Sequence, residues 1–359
     1  MARDAAALAR VTTPTITPAR LPDGHPPVLV VVLDAEEEFE WEAEFARSTT
    51  AVSAMACVDR AQVVFDDFGI TPTYVVTYPV AIQPEGSRPL AEIARSGRAC
   101  IGAHLHPWVT PPFEEALCRR NSFPGNLPPE LERAKLRATV AAIAENLGVR
   151  PLVYQAGRYG FGANTAEVLA AEGFLVDCSI LPAFDYRNEE GPDFSSHGPE
   201  PSWISAAGAG AAPLLSLPLT AAYVGFMRGS GPGLYRWATH RALQWARLPG
   251  ALSRLGALER LRLSPEGYSP ADNRSLTRSL LERGQRTFTF SFHTPSLKPG
   301  CTPYVRSDAD LEQFLRKCRE YFDFFLGELG GVCLTPLDLR ERMLSSQGGR
   351  SPALGAAAV

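Results

Sequence analysis

The chain has 359 residues, a length that suits two ordinary domains or one elaborated α/β domain. Its 35 basic and 39 acidic side chains leave a formal charge of −4, so it lacks the cationic excess that neutralises a phosphate backbone, and nucleic acid is not an expected partner. With 45% hydrophobic and 21% charged residues, the composition excludes a disordered or fibrous chain.

Residues 1–27 are rich in Pro, Thr and Ala and read as a flexible N-terminal tail. The apolar patch Ala5–Ala9 is too short for a secretory signal. Short β-branched runs then alternate with helical patterns. Val28–Leu33, Thr73–Thr77, Arg98–His104, Leu152–Gln155, Phe174–Cys178, Leu214–Leu217, Thr287–His293 and Val332–Leu334 read as strands. Pro128–Leu147 is the clearest helix, with Leu136, Val140, Ile143 and Leu147 at helical spacing and Gly148 placed for a left-handed cap. Asp308–Leu326 is the next. The rhythm breaks at about 182–284, where Gly/Pro-rich loops and a Trp/Arg-rich helix around Tyr235–Arg247 read as an insertion over the site. Ile204–Met227 is uncharged, but Pro213 and Pro218 interrupt it, so it reads as a buried strand with a flexible lead-in and no membrane span is expected. Residues 345–359 read as a flexible C-terminal tail. The seven cysteines (57, 100, 118, 178, 301, 318 and 333) lack any Cys-x-x-Cys pair, and a reducing cytoplasm is the expected compartment. The β-α alternation predicts a parallel sheet or barrel, with reactive groups gathered at strand C-termini.

Four constellations fall at such ends. The first is Asp34-Ala35-Glu36-Glu37-Glu38, directly after a buried strand. Clustered carboxylates there repel one another unless a cation or proton intervenes; the other reading is a solvated acidic loop. The second is His104-Leu105-His106-Pro107-Trp108, whose alternation sets both imidazoles on one side, about 7 Å apart at Cα, within the span of one divalent ion. The third is the glycine-rich turn Gln155–Gly162. It matches neither nucleotide fingerprint, and leaves Arg158 either to orient a carboxylate or to sit in a tight turn. The fourth is the β run ending at His293, a residue suited to general acid work, with Asp177 as its orienting partner or a simple cap. Trp203, Tyr223, Trp237 and Trp245 read either as core or as a platform for stacking sugars.

In this order the motifs resemble those of the polysaccharide deacetylases, the NodB-homology or carbohydrate esterase family four group, from about residue 28 to 335. Asp34–Trp41, Gly102–Pro112, Gly157–Gly162, Gly191–Phe194 and Phe292–Leu297 are most similar to the WalW-like subgroup. The resemblance implies an α/β fold, a distorted (β/α) barrel over residues 28–344, and a hydrolase that removes acetyl groups from N-acetylated sugars or glycan precursors with a divalent ion, Zn²⁺ above all. Carried over by motif, Asp34 is the general base, Glu36 and the histidines His104 and His106 are metal ligands, Arg158 orients Asp34, and His293 is the general acid tuned by Asp177. The chain departs from the family pattern in two places. Ala35 separates Asp34 from Glu36, which leaves Glu37 and Glu38 as alternative ligands, and the histidines are spaced by one residue where the family has three. A barrel amidohydrolase acting on a small amide, which would need further metal histidines such as His197 or His240, and an inactive carbohydrate-binding relative are the competing readings.

Overall fold

Eight consecutive buried residues, Val28–Ala35, make the central strand of the molecule, as expected of a β-branched run with no polar face to offer to water. The computed structural model describes residues 15–39, 43–205, 212–239 and 248–346. In chain order its strands are β1 (Thr15–Pro18), β2 (Val28–Ala35), β3 (Thr73–Val76), β4 (Cys100–Leu105), β5 (Val153–Ala156), β6 (Val176–Asp177), β7 (Ser202–Ser205), β8 (Leu214–Ser216), β9 (Ala221–Val224), β10 (Glu259–Arg262), β11 (Thr287–His293) and β12 (Val332–Cys333). The large sheet runs β1-β7-β8-β6-β5-β4-β3-β2-β11, with β12 also paired to β2, and β9 and β10 form a separate hairpin. From β8 through β11 every pairing in the large sheet is parallel, whereas β1 and β7 are antiparallel additions at one edge. The result is the expected α/β architecture, a strongly curled, distorted (β/α) barrel.

Alternation along the strands divides the core. Leu29, Val31, Leu33, Tyr74, Tyr154, Phe288, Phe290 and Phe292 pack outward in the larger cluster, against helices such as Asp308–Phe322, whose Phe314, Tyr321 and Phe322 belong to it. Val28, Val30, Val32, Val75, Val153, Val176, Cys178, Leu215 and Leu217 fill the other face, inside the barrel. No strand ladder joins β8 to β11. Instead the loop after β8 closes the gap: Thr220 accepts from the Thr289 backbone N–H (2.8 Å), Pro218 O accepts from the Thr289 hydroxyl (3.0 Å), and Leu263 bridges Thr220 and Ser291.

The long helix forms over Pro129–Leu147 and ends on Gly148 at φ 72°. The later one spans Asp308–Phe322 from a Ser307–Asp310 capping box and passes into a wider turn over Asp323–Glu328. Within the segment expected to be an N-terminal tail, Thr15–Pro18 pairs antiparallel with β7; its exposed alternating Thr-Ile-Thr pattern was too short to register as a strand. Residues 1–14 and 347–359 lie outside the described residues, as do 206–211 and 240–247, while Gly231–Ala238 is helical. No described helix is long and apolar enough to cross a membrane.

Phe290 is fully buried and stacks on Tyr321 at 5.2 Å. Phe290→Ala is expected to lower the unfolding free energy by about 3–5 kcal/mol, measured by urea titration.

Candidate active site

The parallel register sets Asp34 beside His293 and His104 beside Gln155, all four at strand C-termini and all on the inner face. Asp34 follows Val30 and Val32 on that face, His293 follows Thr289 and Ser291, and Gln155 follows Val153. The chain continues from β2 into Glu36, whose Oε2 lies 3.6 Å from His104 Nε2 and 3.5 Å from His106 Nε2. Asp34 Oδ2 is 4.0 Å from His104 Nε2 and 3.5 Å from His293 Nε2. The first carboxylate cluster, the histidine pair and the late histidine therefore meet in one buried site. Gly157 permits the approach: a Cβ there would lie 2.4 Å from the His106 ring.

Two sets of side chains are close enough to share an ion, Glu36 with His104 and His106, and Asp34 with Glu36 and His293. Both rings of the first set are fixed from behind. His104 Nδ1 lies 2.9 Å from the Gln155 carbonyl oxygen, which only accepts, so Nδ1 carries the hydrogen there. His106 Nδ1 lies 2.6 Å from Glu37 Oε1, and although burial opposes its charge, the His106 ring holds Glu37 below the usual carboxylate range. Glu37 therefore accepts as well. Each ring fixed this way turns Nε2 toward Glu36, and in a dry pocket nitrogen and carboxylate meet there through a proton or a metal ion. Tetrahedral zinc with bonds of about 2.1 Å has ligand edges of about 3.4 Å, close to the two distances observed, so these residues fit a metal ion. For His104 burial works against the charged ring, but Glu36 and Asp34 outweigh it and raise the pKa.

His293 is held differently. Glu266 accepts from its backbone N–H (3.1 Å) and lies 2.8 Å from Nδ1, and also accepts from the Ser296 hydroxyl. Burial lowers the His293 pKa, but the Glu266, Glu36 and Asp34 carboxylates prevail and raise it to about 10, so the ring is an imidazolium at neutral pH.

The remaining sequence expectations resolve as follows. Asp177 does not reach His293. Its neighbours Val176 and Cys178 face the barrel interior, so alternation turns Asp177 to the helix side, where Ser179 hydrogen-bonds Oδ1; the carboxylate on the His293 ring is Glu266, from the insertion. Arg158 does not hydrogen-bond Asp34. It donates to Ser122 (2.6 Å) and pairs with Glu189, and Gln155 Nε2 donates to both Asp34 oxygens at 2.8 Å instead. Arg158 and Tyr159 adopt φ of 53° and 60°, left-handed values that cost energy in residues with a Cβ and recur at functional turns. Glu38 accepts from the Ala54 N–H (2.7 Å) and Ser53, and so leaves the metal set to Glu36. Trp203 and Tyr223 are buried in core clusters, Trp237 is exposed, and none of these three lines the cavity; Trp245 lies outside the described residues. His197 packs on Phe194, and His240 also lies outside the described residues.

The site opens into a cavity of about 420 Å³. One wall is Trp108, stacked on His106 at 4.2 Å, with Phe39 and Phe45 against it at 5.4 and 4.9 Å. Facing it are Tyr159, Tyr186 and Phe184, in successive stacks of 5.5 and 6.2 Å. Arg262, Tyr268 and Tyr304 complete the lining. Glu37, Gln155, Arg262 and Glu266 belong to the candidate site without a role assigned by motif; of these Glu37 and Gln155 stood inside recognised clusters. Outside the cavity, Lys135 of the helix Pro129–Leu147 donates to the carbonyls of Pro107 (2.9 Å) and Thr110 (2.6 Å) and pairs with Glu115 at 3.0 Å, anchoring the turn that follows His106.

No protein-family model matches the chain, and no curated protein matches it significantly. Solved structures do. A Mycobacterium smegmatis protein named for polysaccharide deacetylation is 19% identical, with 93% of this chain and 96% of that one covered at a TM-score of 0.52. The Puue allantoinase is 14% identical, with 90% and 92% covered at a TM-score of 0.50. This chain shares their fold. At these identities the likeness speaks for the barrel and not for the substrate.

Glu37→Gln is expected to weaken Zn²⁺ or Co²⁺ binding by about 10–100-fold, read by competition with a chelating dye. A second expectation concerns Asp177. Burial, opposed by the Ser179 hydrogen bonds, raises its pKa to about 7, whereas an unfolded Asp titrates near 3.9. The folded chain thus holds this proton more tightly, and the stability it confers is complete below about pH 4 and lost as pH rises through about 7. In urea unfolding at pH 4 and 8, Asp177→Asn should lose less stability than the parent chain between the two.

Proposed function

We propose that this chain is a metal-dependent hydrolase that removes an acetyl group from an N-acetylated sugar or glycan precursor. What carries the reading is the meeting, at one end of the barrel, of a Glu-His-His set with a separately held carboxylate and imidazolium. Motif likeness to the NodB-homology deacetylases, and within them to the WalW-like subgroup, supports the same chemistry.

Glu36, His104 and His106 would hold the ion, and two imidazoles with one carboxylate suit Zn²⁺, with Co²⁺, Ni²⁺ or Fe²⁺ accepting similar ligands. When bound, the ion supplies Lewis-acid polarisation of the scissile carbonyl and of water. Asp34 stands beside that set, oriented by Gln155, and takes the proton of the attacking water. His293 carries a proton on Nε2 next to Asp34 and delivers it to the leaving amine; Glu266 on Nδ1 keeps the ring charged until then. The left-handed turn at Arg158–Tyr159 offers the Tyr159 backbone N–H to the developing oxyanion, a contact worth about 3 kcal/mol in comparable sites.

Asp34→Asn is expected to retain metal, as read by elemental mass spectrometry, while acetate release from N-acetylated sugars falls by about two to four decades. A variant that kept the parent rate would remove Asp34 from the role of base.

A further inference from the structure

The cavity itself narrows the substrate, on the assumption that the hydrolase reading above is correct. Its two aromatic walls are Phe39–Phe45–Trp108, after β2 and β4, and Tyr159–Tyr186–Phe184, after β5 and β6. Arg158 ties them together. Its guanidinium lies over the Phe45 ring at 5.2 Å and the Phe123 ring at 4.2 Å while pairing with Glu189 of the insertion. A chain polymer presenting an internal unit needs an open groove on both sides of the reacting group. Here the cavity of about 420 Å³ stands at the low end for ligand pockets, the size of a small molecule.

Arg262 adds a charge requirement. It lines the cavity from β10 and donates to the Tyr159 hydroxyl and, at 2.9 Å, to Ser291 Oγ. Among the described residues no carboxylate comes within salt-bridge distance of it. The nearby acids are engaged elsewhere, Asp34 by Gln155 and His293, Glu266 by His293 and Ser296. The guanidinium is half-buried, feels the Glu266 and Asp34 carboxylates only at longer range, and has a planar fork that matches carboxylate or phosphate.

We propose that the cavity takes a single N-acetylated amino-sugar unit bearing a carboxylate or phosphate, with the anion on Arg262 and the sugar ring between the two aromatic walls. A single unit matches the small volume, and neutral units leave Arg262 without a salt-bridge partner among the described residues.

The test uses the full chain loaded with Zn²⁺ or Co²⁺ and measures acetate release from N-acetylmuramic acid, N-acetylglucosamine 6-phosphate, neutral N-acetylglucosamine and chitopentaose. At least one anionic unit should exceed N-acetylglucosamine in kcat/KM by tenfold or more, and which one does so identifies carboxylate or phosphate as the source of the charge. Chitopentaose should be the poorest substrate. Arg262→Gln should abolish the anionic preference chiefly through KM, and Arg262→Lys should keep part of it. A neutral unit or the oligomer matching the anionic units overturns the proposal. So does an equal fall in kcat on charged and neutral substrates in Arg262→Gln, because Arg262 would then serve the reaction and not the anion. Should Arg262→Gln fail to fold, the substrate comparison on the parent chain decides alone. Should no substrate be hydrolysed with any metal, the hydrolase reading has failed, and quenching of tryptophan fluorescence by N-acetylmuramic acid against N-acetylglucosamine still reports whether the cavity prefers an anion.

Discussion

Everything at the barrel mouth depends on three lone-pair-bearing groups turned toward one point in a dry place. His104 and His106 have each committed a hydrogen to a fixed acceptor behind them, one to a backbone carbonyl and one to Glu37, so each turns its Nε2 toward Glu36. Such a cluster is unfavourable by itself, and what makes it tolerable is a positive charge between its members. The supporting structure can be understood as the means of keeping these groups from relaxing apart: a buried strand end, a glycine without which the His106 ring would be displaced, and a second carboxylate behind the ring.

Next to this set stand two groups prepared for opposite proton traffic. Asp34 is held by a neutral amide, whereas His293 is flanked by carboxylates on both ring nitrogens and carries a charge at neutral pH. Asp34 Oδ2 and His293 Nε2 stand 3.5 Å apart. A strongly shifted imidazole beside a carboxylate in a cleft is a recurrent sign of acid–base catalysis.

How much of this was legible in the sequence follows the range of each signal. The runs at β2, β4 and β11 were visible because burial on both faces leaves long apolar stretches, and each ends in a residue out of character with what precedes it, Asp34, His104 or His293. Asp177 was misjudged because being at a strand end was weighed and facing direction was not; the flanking Val176 and Cys178 already imply that it points to the helices. Arg158 and Glu266 lay beyond local reasoning altogether. An arginine can span several residues' breadth in any direction, and Glu266 comes from a Pro/Gly-rich insertion whose path no periodicity predicts. The hairpin β9–β10 was hidden in the same way, since its alternation is carried by Ala and Arg side chains.

The buried amine of Lys135 has a further implication. By gripping the carbonyls of Pro107 and Thr110, it makes the turn after β4 and the long helix Pro129–Leu147 a single mechanical unit, though Lys135 lies 25 residues beyond Thr110. Grafting this histidine loop onto a related scaffold would therefore require moving the helix along with it, and natural variation in the one should be accompanied by compensating variation in the other.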